Sequence, residues 1–132
     1  MRKLRVLLYL PLVVGGLLTC VPGVMAIGPF KDAFEDKYVK PDSSAPKDVR
    51  FAAAFAEARC DVCHSGMKKE ERNVYGRALA ELLDWQEDRD NKEKIQSALD
   101  KVAGMKRDPK NEESPTFGQL IEQGKLPGAD EE

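Results

Sequence analysis

The stretch Pro46 to Gly66, "PKDVRFAAAFAEARCDVCHSG", decides how the chain reads. Its first fourteen residues, Pro46 to Arg59, are rich in alanine, the best helix former, and set Phe51 and Phe55 one helical turn apart. They predict an amphipathic helix with a proline at its first position. That helix delivers Cys60 at its end, and "CDVCH" follows at once: two thiols three positions apart, then the one histidine of the 132-residue chain.

Working outward, a second helix is predicted over Asn73 to Asp84, where Val74, Ala78, Leu79, Leu82 and Leu83 form an apolar stripe with Trp85 at the edge of the core. "DWQEDRDN" interrupts it. Asp90 with Glu93 makes a capping box for a third helix carrying Ile95, Ala98, Leu99 and Val102, which Gly104 closes. A fourth, short helix is predicted from Ser114 as cap and Pro115 at the first position, burying Phe117, Leu120 and Ile121 and stopping at Gly124. Before the opening helix, residues 27–45 form a leader in which Phe30, Phe34 and Tyr38 recur every fourth residue, either one short helix or loosely packed chain. No segment alternates apolar and polar residues as a half-buried strand would. The fold class expected is all-α, one helical domain over residues 46–124 with a polar C-terminal tail over 125–132.

Residues 1–26 read as a signal peptide. "MRKLR" supplies the positive start, Val6 to Leu18 the apolar run, and Val24 and Ala26 the small residues before a cleavage point after Ala26. The run is shorter than the roughly 20 residues a bilayer span needs, and Pro11 and Gly15–Gly16 interrupt it, so no membrane span is expected after cleavage. Lipidation at Cys20 is the alternative, but Thr19 departs from the small residue such a site prefers. The expected destination is export, to a periplasm. Cleavage removes Arg2, Lys3 and Arg5 and no acid, leaving 18 basic against 23 acidic residues and a charge of −5, a balance that argues against nucleic acid as a partner. It also removes Cys20, so only Cys60 and Cys63 remain.

Chemically, "CDVCH" admits four readings: a covalent haem anchor, a redox dithiol, part of a zinc site, or ordinary thiols. Cysteines at i and i+3 on one turn can form thioethers to the two vinyl groups of a haem while the adjacent imidazole serves as proximal axial ligand. A structural zinc site wants four ligands, and the mature chain offers neither a second His nor a third Cys. A thioredoxin-type dithiol expects neighbouring strands, and none are predicted. Haem attachment through Cys60, Cys63 and His64 is the reading the residues favour.

An export signal, an amphipathic helix ending in Cys60-Asp61-Val62-Cys63-His64 and further helices resemble a small monohaem c-type cytochrome of class I. The resemblance implies one haem c wrapped by helices, passing single electrons between redox partner proteins, with no enzymatic role. It also implies a distal methionine well downstream of the histidine. Met67 lies too close to His64 to reach the far face. Met105 fits by order, although "AGMKRDP" lacks the prolines and glycines that usually surround such a methionine. Three distal arrangements stay open: Met105, another donor such as a lysine, or an open iron. An open iron would make the chain a gas sensor or peroxidase-like protein, and a haem subunit of a larger complex is a further alternative.

Three smaller features carry expectations. "RNVYG" could set Tyr75 or Asn73 against a haem propionate, or Asn73 could simply cap a helix with Tyr75 buried. Gly76 inside that helix predicts close approach of another helix or of the porphyrin. Lys68 and Lys69 could orient an acidic partner, or form part of a solvated face.

Overall fold

The computed structural model describes residues 28–65 and 70–129, and these are helical with no strand among them. The predicted signal peptide, Met67, Lys68 and Lys69 lie outside the described residues, as does the end of the predicted tail. Six α-helices follow in order: α1 Pro29–Tyr38, α2 Pro46–Ala58, α3 Val74–Ala80, α4 Trp85–Asp88, α5 Lys92–Ala103 and α6 Phe117–Glu122, with a 3-10 turn over Arg59–Val62 after α2. No described helix is long and apolar enough to cross a membrane.

Both leading helices start on a proline, Pro29 and Pro46, where a missing N–H costs nothing and the fixed φ suits the helix. The every-fourth aromatics of residues 27–45 do form a helix, and it belongs to the core. Phe34 is buried, its ring stacked on Phe55 at 5.7 Å and edge-on to Tyr75 at 5.7 Å. Tyr38 donates its hydroxyl to the Leu99 carbonyl at 3.2 Å, tying α1 to α5. The centre of the domain is α5, whose Ile95, Ala98, Leu99 and Val102 face inward and which packs against α1, α3, α4 and α6. Each large side chain buried there contributes about 1.5–3 kcal/mol of transfer free energy.

Four sequence expectations need correction. The second helix stops at Ala80: the Leu79 carbonyl accepts from both Leu82 and Leu83 N–H, and Asp84 caps a separate α4 by accepting from Gln86 and Glu87 N–H. Trp85 therefore starts a new helix and is 47% exposed, resting edge-on against Phe30 at 5.4 Å, instead of lying in the core. The caps of the last two helices shift by one and two residues. Asn91 replaces Asp90, accepting from Lys94 N–H at 3.0 Å. Thr116 replaces Ser114 and forms a reciprocal capping box with Gln119, while Ser114 accepts from Asp108 N–H and closes the preceding loop. Finally, Pro127 and Gly128 are buried, so the predicted polar tail packs onto the domain at least this far.

Candidate functional site

The helix α2 is capped at its C-terminus by Arg59, whose φ of 50° is the one left-handed value at a non-glycine residue in the described chain. That conformation costs a side-chain-bearing residue about 1–3 kcal/mol, and it swings the backbone directly into Cys60. The turn that follows closes on a single acceptor: the Cys60 carbonyl receives Cys63 N–H at 3.2 Å and His64 N–H at 3.1 Å. Val62 is buried and anchors the turn in the core, leaving Cys60 and Asp61 exposed and Cys63 and His64 half-buried. Cys60 and Cys63 are free thiols.

The chain then returns along itself. Ser65 N–H donates to Glu71 carbonyl at 2.8 Å and Asn73 N–H to Cys63 carbonyl at 3.1 Å, making a one-pair antiparallel bridge between His64 and Arg72. Asn73 caps α3, accepting from Gly76 N–H at 2.9 Å, as its sequence position suggested. The same side chain also turns its amide N–H groups on the site turn, donating to the Asp61 carbonyl at 2.9 Å and the Val62 carbonyl at 3.1 Å. With both ends of its amide engaged within the protein, Asn73 is not free to serve a propionate. Gly76 does mark a close approach, but to backbone. A Cβ there would overlap the Cys63 carbonyl oxygen.

Two buried side-chain atoms in this region find no hydrogen-bond partner among the described residues: His64 Nδ1 and the Tyr75 hydroxyl. A buried polar atom left unpaired costs about 1–3 kcal/mol, so two of them beside one turn mark it as unusual. Tyr75 is fully buried, and its pKa is pushed upward by that burial, with Tyr38 and Cys63 adding to it. The Cys63 thiol is pushed up to about 12 by burial and then by the neighbouring Cys60. It is therefore protonated at neutral pH. Among the described residues no three His, Cys, Asp or Glu side chains gather as a metal-binding group.

Met105 stands elsewhere. Its N–H donates to Val102 carbonyl at 2.9 Å and its carbonyl accepts from Phe117 N–H at 3.0 Å, so it opens the loop between α5 and α6 with its side chain partly buried against the core. Between that loop and α3 lies an open cavity of about 1170 Å³, with Val74, Ala78, Met105 and Phe117 among its walls. This matches or exceeds the ~300–1,000 Å³ usual for cofactor and ligand sites. Cys60, Cys63 and His64 sit together in the turn and are not among the residues lining the cavity; α3 connects the two, Asn73 bonding the turn and Val74 lining the cavity. Lys106, the nearest lysine to Met105 in sequence, donates to Glu112 carbonyl at 2.8 Å.

The sequence reading missed the Asn73 clamp on the turn, the strained Arg59 and the packed Pro127–Gly128. For the first, a single signal was available: an Asn cap placed shortly after the thiol motif. Comparison with known proteins adds no relative: no family model, curated protein or solved structure matches the chain.

Proposed function

We propose that the chain is an exported monohaem c-type cytochrome that carries single electrons between redox partners. The observation that carries this reading is the Cys60–His64 turn, which presents two unpaired thiols and a half-buried imidazole from one short, braced segment. The fit of this turn to a haem rests on three features. Neither thiol is spent in a disulfide, His64 Nδ1 is buried without a hydrogen-bond partner among the described residues, and an open cavity of cofactor size is lined by Val74 of α3 and by Met105, although not by the turn's own thiols and imidazole.

In this reading Cys60 and Cys63 hold the group. Each thiol would form a thioether by adding its S–H across a vinyl double bond, the hydrogen going to the neighbouring carbon, so no oxidant or reductant would be needed. His64 and, as the candidate second donor, Met105 would be the residues offered to the haem iron. The group, when bound, supplies reversible one-electron chemistry. The protein's part is to fix the ligand turn, to exclude water with Val62 and the α1–α2 aromatics beneath it, and to keep the cofactor from dissociating.

The test is to express the chain with a cytochrome maturation system. Pigment that survives acid–acetone extraction is the expected result; pigment that moves into the acetone would break the covalent reading. The distal side is tested separately by adding carbon monoxide to the reduced protein at neutral pH. A Met105-ligated carrier resists the gas, and Met105→Ala admits it. Rapid carbonyl formation by the unsubstituted protein would instead favour an open-site sensor or peroxidase-like role, for which the roomy cavity beside Met105 is the supporting observation.

A further inference from the structure

We propose that Asn73 is a positioning residue for the Cys60–His64 turn, and that the C-terminal Pro127–Gly128 segment is the strap that keeps it in place. Helix capping uses only the carbonyl end of the Asn73 side chain, which accepts from Gly76 N–H. The amide end is spent wholly on the turn, donating to the Asp61 and Val62 carbonyls. These two carbonyls lie between the two thiols in sequence, so the donor that spans them sets how far apart Cys60 and Cys63 can move.

The strap lies against the same node from the opposite end of the chain. Pro127 is fully buried, and a Cβ on Gly128 would overlap Asn73 Nδ2 and come within 2.5 Å of the Val62 carbonyl oxygen. Glycine at 128 thus lets the terminal segment lie directly on the hydrogen bonds that hold the turn, shielding them from water. A shielded amide–carbonyl bond persists because no water competes for the acceptor. All of these contacts are between atoms of the polypeptide. Only the purpose of that geometry rests on the haem reading.

The residue identity makes the two roles of Asn73 separable. Asn73→Asp and Asn73→Ser keep an oxygen for the α3 cap, since both residues are good N-caps, and lose the amide donor. In the chain produced without a maturation system, alkylation of the half-buried Cys63 is expected to quicken roughly tenfold in both variants, the size expected when two acceptors lose their shared donor. Exposed Cys60 should react at its original rate, and the helical circular dichroism should be unchanged. Gly128→Val, which pushes on the node from the strap side, should accelerate Cys63 in the same direction. Unaltered Cys63 reactivity in the position 73 variants would overturn the proposal.

A variant-free measurement guards against misfolding. In the unsubstituted chain the Cys63 and His64 amides are expected to exchange with solvent hydrogen at rates within about tenfold of the Gly76 and Arg77 amides, because one side chain ties the two segments together. Exchange a hundredfold faster at the turn would show that Asn73 does not hold it. In protein matured with haem, Asn73→Ser should shift the midpoint potential while leaving the covalent attachment intact. A colourless unsubstituted protein would sink the haem reading and leave the alkylation result standing.

Discussion

Two corners of the molecule solve the problem of buried polar atoms in opposite ways. At the Asp84–Lys94 corner, Asp88 is 5% exposed and its Oδ2 is engaged twice: it accepts from Asp84 N–H at 2.8 Å and from Lys94 Nζ at 2.7 Å, while Asp84 and Asn91 cap the helices on either side. At the Cys60–Tyr75 corner the backbone is equally well braced, yet His64 Nδ1 and the Tyr75 hydroxyl are buried with no partner among the described residues. At the first corner the buried carboxylate has two donors from the polypeptide. In the second the backbone framework is paired while two buried side-chain atoms have no partner among the described residues.

The sharpest way to break this contrast is at glycine. Gly76→Ala drives a methyl into the Cys63 carbonyl and should cost about 3 kcal/mol or more, or prevent folding. Gly104→Ala, at the end of α5, meets only the Lys101 carbonyl at 3.5 Å and should change stability by about 1 kcal/mol or less. Urea denaturation of both variants checks the pair. Equal effects would mean that the turn is not packed on α3 as tightly as the structure has it.

Acid tests the first corner. The Lys94 ammonium, then the Asp84 N–H, hold the Asp88 carboxyl below its ordinary value of 3.8, against the opposing effect of burial. Because the folded value is depressed, the stability it contributes is present above 3.8 and drains away as the pH falls through the folded value. Asp88→Asn should therefore be less stable than the unsubstituted protein at neutral pH, and the gap should narrow in strong acid. Denaturation midpoints at neutral pH and near about pH 2 would show it.

Smaller effects sharpen the open corner. Tyr75→Phe removes a buried hydroxyl that has no partner among the described residues and should leave the haem-free chain about 1 kcal/mol more stable. If the hydroxyl meets a partner once haem is attached, the same substitution should be neutral or destabilising in the matured protein. Arg59→Gly relieves a left-handed backbone and should gain about 1 kcal/mol in thermal unfolding.

Much of this architecture can be read in the sequence, and the failures have a common cause. Periodic apolar residues located α2, α5 and most of the core, because burial of a helix face depends on spacing that the chain displays openly. The caps were harder. Asp90 and Ser114 sit beside Asn91 and Thr116, and either neighbour of each pair is a competent cap, so backbone geometry makes the choice. Trp85 fell outside the core because α3 stops at Ala80, where the Leu79 carbonyl closes the turn, and Asp84 caps a separate α4 that Trp85 begins. At the site, the two thiols and the histidine were legible as a motif, but Asn73 reaching across to the Asp61 and Val62 carbonyls is a tertiary fact. So is the packing of Gly128 against it from the far end of the chain. Met105 was placed by chain order alone. The structure sets it in a cavity wall.

The central claim is that the braced thiols of Cys60 and Cys63 carry a covalent porphyrin. Its most direct test is the intact mass of the protein purified after export from cells that attach haem to cysteine pairs. The account predicts a coloured protein heavier than its polypeptide by one haem, with the extra mass on the peptide containing Cys60–His64. A colourless protein whose mass equals that of its amino acids alone would contradict it.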